Sequence, residues 1–381
     1  MSDYRVVFFD EIDDPYKVAL IFQLSLSWPV NPRLLQELRS SDERYTREFG
    51  IFAVTRDGTV ASGLLLMRIP TQTIQGRLEV GGVNTVSTRP DFARRGLMTA
   101  IMKRTHEYFR ERDLEYSVLT TSKRLGAMTM YQRLGYSEID HSEVAVKYPN
   151  QTRTRSPEDA IVRPFLETDS NNVDSAYKRA VQGSTGFIYR PKNFLKARKY
   201  SMGIEIKPVE NMRVVERGDS VTGYAYWEPS QRISEAPEIM ALDEMSFHAL
   251  LADAERRNPD AAVMVSCDGL TDLEIGWLDK AGYQVPLEAY GSFLVKSLKE
   301  KTDSNRIKRS YGVNSGRFRI GLWTAPKRLG CQASINPIGV SRTSSFQQLL
   351  NSIAIVNAIW WAGPGSNRRP SACKADVPAK P

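Results

Sequence analysis

The stretch VSTRPDFARRGLMTAIMKRTHEY, residues 86–108, predicts a strand that runs directly into the N-terminus of a helix. A β-branched run follows the pair Gly81-Gly82, and the chain turns at Pro90. From Leu97 onward apolar residues recur at helical spacing. The junction between the two predicted elements is therefore the feature from which the rest of the chain is interpreted.

This junction has the composition of an anion site. The first amides of a helix have no intrahelical acceptor, and the helix dipole favours negative charge there. Gly96 lets an anion approach the backbone, while Arg94 and Arg95 add charged donors. A basic helix start with a glycine is also compatible with an ordinary solvated turn, so a second signal is needed to choose between the two.

The second signal lies downstream. Residues 115–121 are typical of a buried strand, and residues 127–134 predict a helix that Gly135 closes. A further strand is predicted over residues 136–139, followed by a closing hairpin to Val146. The order is thus strand, helix, strand, helix, strand.

Taken together, the two halves resemble the two core motifs of the GNAT superfamily of N-acetyltransferases. The family's loop is usually Arg/Gln-x-x-Gly-x-Gly/Ala, and here Ala93 and Met98 stand at its first and last positions. The motifs are Val86-x-x-x-Pro90-x-x-x-Arg94-Arg95-Gly96-Leu97 and Ala127-x-x-x-Tyr131-x-x-x-Gly135-Tyr136.

The resemblance implies a fold, a cosubstrate and roles for named residues. It implies an acetyl-CoA-dependent N-acetyltransferase in which a neutral amine attacks the thioester directly. Tyr131 is expected to face the sulfur as the general acid, and a backbone amide near Val86 to polarise the thioester carbonyl. The residues expected to bind acetyl-CoA are Val86, Ser87, Thr88, Arg94, Arg95, Gly96, Leu97, Met98 and Thr99.

The roles expected for Tyr131 and for the general base each have an alternative. Tyr131 is also compatible with plain core packing. Glu79, on the strand before the junction, is the candidate general base, but a surface glutamate fits its position too, and many relatives use an ordered water or a backbone carbonyl. His106 is expected on the surface of the predicted helix.

The chain divides into four parts by pattern. Residues 1–147 predict a GNAT domain that binds acetyl-CoA, a mixed twisted α/β sheet flanked by helices, and residues 148–158 a linker. Residues 159–299 repeat the plan as a degenerate GNAT-like domain. Residues 300–381 form an irregular basic tail.

The repeat has lost the features of the first junction. Its strand-to-helix turn contains Asp243-Glu244, without glycine or arginine, and these carboxylates would repel a pyrophosphate. Leu278-x-x-x-Gly282-Tyr283 echoes the second motif with leucine in place of the tyrosine. Tandem GNAT proteins with a degenerate second copy include the enhanced-intracellular-survival type, which is distantly similar. The further sterol-carrier-like domain of that type has no counterpart in this pattern.

The tail holds the excess positive charge of the chain. Residues 301–381 carry 13 basic and 2 acidic residues, so the net charge of +8 becomes −3 for residues 1–300. Nucleic-acid binding by the body is therefore not expected. The end of the tail, residues 361–376, resembles a transfer-RNA gene translated on its antisense strand. It is interpreted as readthrough, or alternatively as a disordered basic tail that binds nucleic acid or membrane.

Composition narrows the class further. The sequence shows neither a signal segment nor an apolar run long enough to span a membrane. Cys267, Cys331 and Cys373 lie far apart, which predicts free thiols, a cytoplasmic location and no metal site. A non-catalytic acyl-CoA-binding regulator is the alternative function. The pattern identifies neither the amine acceptor nor the oligomeric state.

Overall fold

The computed structural model describes residues 3–28, 30–123, 125–191, 194–195, 211–229, 232–299, 303–313, 315 and 318–319. All of them belong to one compact unit. The end of the tail, with its antisense resemblance, lies outside the described residues.

The described residues of the first half form six strands and four α-helices. Asn31 caps α2 by accepting a hydrogen bond from the amide of Leu34 at 2.8 Å. In chain order the elements are β1 Tyr4–Phe8, α1 Pro15–Leu26, α2 Pro32–Ser41, β2 Tyr45–Thr55, β3 Val60–Thr73, β4 Gly76–Thr88, α3 Leu97–Arg110, β5 Tyr116–Ser122, α4 Ala127–Arg133 and β6 Ser137–Lys147.

The second half repeats this order with fewer helices described. Its elements are β7 Ala160–Pro164, α5 Ser170–Ala180, β8 Met212–Arg217, β9 Ser220–Pro229, β10 Ile233–Ala241, α6 Glu244–Arg257, β11 Ala262–Ser266, α7 Asp272–Lys280 and β12 Gln284–Ser297, followed by α8 Ser304–Tyr311.

The strands form one mixed sheet of twelve, in the order β1-β2-β3-β4-β5-β12-β6-β11-β10-β9-β8-β7. This order shows that the halves exchange their last strands. β12 follows β5 and completes the first half, whereas β6 follows β11 and completes the second. The predicted α/β class with helices on a mixed sheet is confirmed. The predicted closing hairpin to Val146 is wrong, because β6 is one continuous strand whose partners come from residues far along the chain.

Alternation along the strands builds a core on each face of the sheet. On β3, Leu64 and Leu66 pack with residues of α3 and α4, while Leu65 packs with residues of α1. On β9, Ala225 and Trp227 lie on the α6 side, and the tyrosines beside them lie on the α5 side. The sheet is therefore covered on both faces in both halves.

The predicted boundary of the tail at residue 300 is too early. Helix α8 buries Ile307 and Tyr311 against the sheet, where they pack with Val118 and Phe293. Beyond it, Arg319 is buried with an ion pair to Glu274, at 2.9 Å between Nη2 and Oε2. Residues 304–311 and 319 therefore belong to the folded body, and the basic residues among them do not form a free tail.

Candidate active site

The gap between β4 and β5 is the centre of the candidate site. These parallel strands pair only where Gly81 and Gly82 lie opposite Ser117 and Val118, although β4 continues to Thr88 and β5 to Ser122. Gly81 permits the close packing there, because a Cβ on it would lie 2.4 Å from the ring of Phe109. Beyond this point the strands diverge, and the carboxyl-terminal half of β4 faces an opening.

Backbone groups of β4 line this opening. Ser87 lies opposite Gly63 of β3, and the amide of Arg89 donates to the carbonyl of Ala61 at 2.9 Å. Since backbone groups alternate sides along a strand, the amides of Val86 and Thr88 point away from β3 and toward the gap. An extended amide-bearing ligand arm would find its hydrogen-bonding partners there.

The register of β3 and β4 breaks within the same segment. Gly63 faces Ser87 and Leu65 faces Asn84, so Thr85 and Val86 together oppose the single residue Leu64. This is a β-bulge, and Thr85 at its centre has φ +49. A β-branched residue in the left-handed region is rare, and such outliers concentrate at functional sites.

The start of α3 offers unpaired amides. Gly96 is the N-cap with φ +76, and the first backbone amide with a helical acceptor is that of Ala100, which bonds the Gly96 carbonyl. Among the described residues, no group accepts from the amides of residues 94–99, and the first turn contains no acid. A Cβ on Gly96 would meet nothing within 4 Å, so the space over these donors is open.

The loop before α3 is exposed and basic. Arg95 stacks on Phe92, with 4.9 Å from its guanidinium carbon to the ring centroid, and it donates to the Asp91 carbonyl. The carboxylate of Asp91 is paired with Arg89 at 2.8 Å and does not oppose an incoming anion. Arg94 is exposed and makes no ion pair with a described residue. The loop therefore presents positive charge and backbone donors on one side.

Ala93 and Met98, the two departures from the family loop, leave the start of α3 open. Ala93 is exposed, and its amide donates to the Pro90 carbonyl, which closes the short 3-10 turn before the loop. The side chain of Met98 packs against the core cluster beneath α3. Neither side chain therefore occupies the space above Gly96.

Tyr131 projects from α4 into the same core cluster. It is 4% exposed, and Val86 packs against the cluster from β4. Its ring meets that of Tyr136 edge to face at 5.9 Å between centroids. Its hydroxyl makes no hydrogen bond to any residue within the described ranges. Burial raises the pKa of the Tyr131 hydroxyl, which keeps it protonated at neutral pH as a proton donor.

Glu79 does not reach the gap. It lies on β4 opposite Pro70, on the far side of Gly81-Gly82 from Val86, and its carboxylate pairs with Arg68. Seven residues of strand place it roughly 23 Å from Val86. The structure thus corrects the prediction of Glu79 as a base, because its spacing along the strand puts it at the closed end.

His106 also differs from its prediction. It is only 4% exposed, and its Nε2 lies 3.1 Å from the hydroxyl of Tyr136, which in turn lies 2.6 Å from Ser117 Oγ. Burial, helped by Lys296 and Arg110, lowers the pKa of His106 to about 3. The expected surface position is wrong, and the neutral imidazole joins α3 to the segment after α4.

The corresponding junction of the second half is closed. Between β10 and α6 lie only Leu242 and Asp243, whereas eight residues separate β4 from α3. Asp243 caps α6 by accepting from the amide of Ser246 at 2.8 Å, and Glu244 follows in the first turn. Side-chain carboxylates thus occupy the place that is open in the first half.

Comparison with known proteins now identifies the first junction. Residues 13–139 match the family model described as an acetyltransferase (GNAT) domain. This part of the chain is a GNAT domain. The motif that predicted it and the gap between β4 and β5 both lie within the matched residues, so the recognition made from sequence is confirmed.

Solved structures share the fold over both halves. A probable N-acyltransferase of unknown function from Enterococcus faecalis V583 is 13% identical, with a TM-score of 0.62 over 78% of this chain and 73% of that chain. Eis1 from Mycobacterium abscessus is 15% identical, with a TM-score of 0.53 over 77% and 74%. At these identities the likeness establishes the fold that surrounds the GNAT domain.

A third solved structure was determined with a ligand. It is Saccharomyces cerevisiae N-myristoyltransferase with bound myristoyl-CoA, 10% identical, with a TM-score of 0.54 over 78% of this chain and 79% of that chain. None of the curated protein sequences compared with the chain matches it. Acyl transfer in general is the activity that the family match over residues 13–139 supports.

Two further properties concern what the described residues do not contain. Within the described ranges no helix is long and apolar enough to cross a membrane. In the same part of the chain, no group of three or more His, Cys, Asp or Glu side chains is arranged to hold a metal ion.

Proposed function

We propose that the protein is an acetyl-CoA-dependent N-acetyltransferase whose single active site lies in the gap between β4 and β5. The observation that carries this proposal is the open, uncapped start of α3 directly beside that gap. Six amides, a helix dipole and two arginines converge on a space with no acid in the first turn of the helix. That arrangement suits a pyrophosphate.

The donor molecule would follow the strand away from the helix. The amides of residues 94–99 would hold the pyrophosphate, and within the stretch Val86-Ser87-Thr88 the backbone groups of Val86 and Thr88 would pair with the pantetheine arm. The amide of Val86 would donate to the thioester oxygen and stabilise the negative charge that develops there. An acetyl donor, rather than a longer acyl-CoA, is part of this proposal.

The chemistry is one acyl transfer. The nitrogen of a neutral primary amine attacks the carbonyl carbon, the C–S bond breaks, and the departing sulfur takes the proton of the Tyr131 hydroxyl. The nitrogen loses its proton to water or to a backbone carbonyl, because Glu79 lies at the closed end of β4. Tyr131 suits the acid role because its hydroxyl is protonated at neutral pH and makes no hydrogen bond with a described residue.

Titration of acetyl-CoA into the full chain by calorimetry tests the proposal, followed by a panel of primary amines with release of free coenzyme A thiol as the signal. The full chain is used because α8 and Arg319 are packed into the body. We expect micromolar binding of one acetyl-CoA per chain and turnover with at least one amine. A folded chain that does not bind acetyl-CoA contradicts the proposal.

One observation favours a second candidate, a non-catalytic acyl-CoA-binding regulator. The carboxylate predicted as the base lies at the closed end of β4 in an ion pair with Arg68. This candidate predicts the same binding of acetyl-CoA but no release of thiol with any amine. The titration and the panel therefore separate the two.

A further inference from the structure

The β-bulge in β4 is held by side chains of the strand itself. The amide of Thr85, the residue with φ +49, donates to Oδ1 of Asn84 at 2.8 Å. Its carbonyl accepts from Oγ of Ser87 at 2.9 Å. Both backbone groups of the strained residue are thus taken by the side chains that flank the bulge, and neither is left to pair with a neighbouring strand.

These side chains are themselves anchored. Nδ2 of Asn84 donates to the hydroxyl of Tyr45 at 3.1 Å, so Asn84 is fixed at both ends of its amide. Ser87 is 2% exposed, and its carbonyl accepts from the buried Oγ of Ser62 at 2.9 Å. The bulge is consequently tied to β2 and β3 as well as to its own strand.

The next residue is Val86, whose amide points to the gap. A bulge of this kind re-aims the residues beside it, and a left-handed residue at its centre is usually glycine. Threonine does not favour this conformation, so another interaction must select it. The Asn84 side chain, which accepts from the Thr85 amide, is the group in position to do so.

We propose that Asn84 is a positioning residue for acyl transfer: its side chain holds Thr85 in the left-handed conformation and thereby aims the Val86 amide at the thioester carbonyl. The proposal rests on the proposed function and adds to it a residue outside the motif. Asn84 does not itself touch the reacting atoms. The Ser87 side chain does not touch the reacting atoms either. Its hydroxyl donates to the Thr85 carbonyl and so holds the other side of the bulge.

The test uses the bound thioester as its own reporter. Acetyl-CoA labelled with ¹³C at the carbonyl is added to the full chain, and the carbonyl resonance is recorded free and bound. A donated hydrogen bond polarises the carbonyl, so we expect a downfield shift on binding. Asn84→Ala should remove most of that shift and lower kcat at least tenfold on any amine found by the panel, with KM for acetyl-CoA changed less than threefold.

The second variant restores the left-handed conformation at position 85 without the Asn84 side chain. Glycine takes the left-handed conformation freely, so Asn84→Ala/Thr85→Gly should recover the downfield shift and most of kcat. Thr85→Gly alone should behave like the unaltered protein. Tyr45→Phe removes the hydroxyl that accepts from Asn84 Nδ2 and leaves the bond to the Thr85 amide, so it should leave the resonance in place.

Each outcome decides the matter. A full shift in Asn84→Ala, or a lost shift that Thr85→Gly does not restore, overturns the positioning role while the proposed function stands. If the unaltered chain binds acetyl-CoA without any carbonyl shift, the Val86 amide is not a donor and the inference fails alone. If acetyl-CoA does not bind, the proposed function falls and the inference falls with it.

Discussion

The starts of helices α3 and α6 differ: the first leaves its amides open, and the second covers its first amides with side-chain carboxylates. Both helices have 14 residues and follow a strand that pairs in parallel with its neighbour for only part of its length. Helix α3 begins with a glycine cap after an eight-residue basic loop. Helix α6 begins with Asp243 and Glu244 after a turn of two residues. The second half therefore has the same strand-to-helix arrangement without the glycine and the arginines of the first half.

The two helix starts also differ in whether side chains of the protein accept from their first amides. At α6 the cap is internal, because Asp243 satisfies the Ser246 amide, and Glu244 pairs with Lys280 at 3.0 Å. At α3 the described residues leave six amides without an acceptor. Donors at a helix start that have no protein acceptor are satisfied by water or by a ligand, so the first half leaves these amides available to a bound anion.

The largest expected effect is that of Gly96→Glu. A carboxylate over the start of α3 repels the pyrophosphate and fills the open space, so we expect the affinity for acetyl-CoA to fall by at least about a hundredfold. Gly183→Glu is the matched control, since Gly183 has φ +77 and equally open surroundings but lies in the second half. Calorimetric titration of both variants measures the difference, and equal affinities would show that the start of α3 is not the site.

Tyr131→Phe should lower kcat by about 10²- to 10³-fold and leave the affinity for acetyl-CoA nearly unchanged, because the ring packing remains and only the proton donor is lost. Tyr136→Phe is the control: that hydroxyl bonds Ser117 and His106 and should affect stability instead. Steady-state kinetics with an amine from the panel gives the result. Equal turnover in Tyr131→Phe would remove this residue from the mechanism.

Arg319→Met tests whether the buried Arg319 stabilises the second half of the fold. The Arg319 guanidinium donates to the carbonyl of Gly269, which follows β11, and pairs with Glu274 at the start of α7. Loss of one partner leaves a buried carboxylate uncompensated, which should lower the free energy of unfolding by about 3 kcal/mol.

Denaturant unfolding measures this loss, and Arg319→Met/Glu274→Gln should recover part of it, since the uncompensated charge is gone. Lys178→Met, which breaks an exposed pair with Asp174, should change stability little. An Arg319→Met protein as stable as the original would mean that the chain beyond α8 is not part of the folded body.

His106, the tenth residue of α3, predicts that the first half is sensitive to acid. Because the pKa of His106 is lowered in the folded chain, the unfolded chain binds more protons below pH 6.5, and stability falls as the pH drops from about 6.5 toward 3. Between pH 7 and 4.5 the loss due to this group should be about 2 kcal/mol.

Urea unfolding at the two pH values checks this expectation. His106→Gln, which can still bond the Tyr136 hydroxyl, should show a smaller loss than the unaltered chain. The same pH slope in both proteins would contradict the neutral, buried imidazole.

The smallest effect is expected from Asp243→Ala. Removal of the cap should cost about 1 kcal/mol of stability, while Asp243→Asn, which keeps a cap, should cost less. Neither variant should bind a second acetyl-CoA, because the turn of two residues supplies no loop to hold it. Two acetyl-CoA molecules bound per chain would show that the charge of Asp243, and not the short turn, prevents binding in the second half.

The sequence by itself determined the junction, its two motifs and the class of the fold. Gly96 and the arginines before it predict an anion site through local chemistry, since a helix start needs no distant residue to present its amides. Asp243 and Glu244 specify the closed counterpart in the same way. The strand and helix pattern of both halves also follows from periodicity along the chain, which is why most elements lie where the residues predict them.

Only the tertiary structure decided what depends on distant partners. The exchange of β6 and β12 rests on pairing between residues about 150 positions apart, and no local pattern distinguishes it from the predicted hairpin. Glu79 and His106 were misplaced because distance along a strand and burial on a helix face are set by packing. Arg319 and the bulge at Thr85 become visible only when their partners, Glu274 and Asn84, are brought beside them.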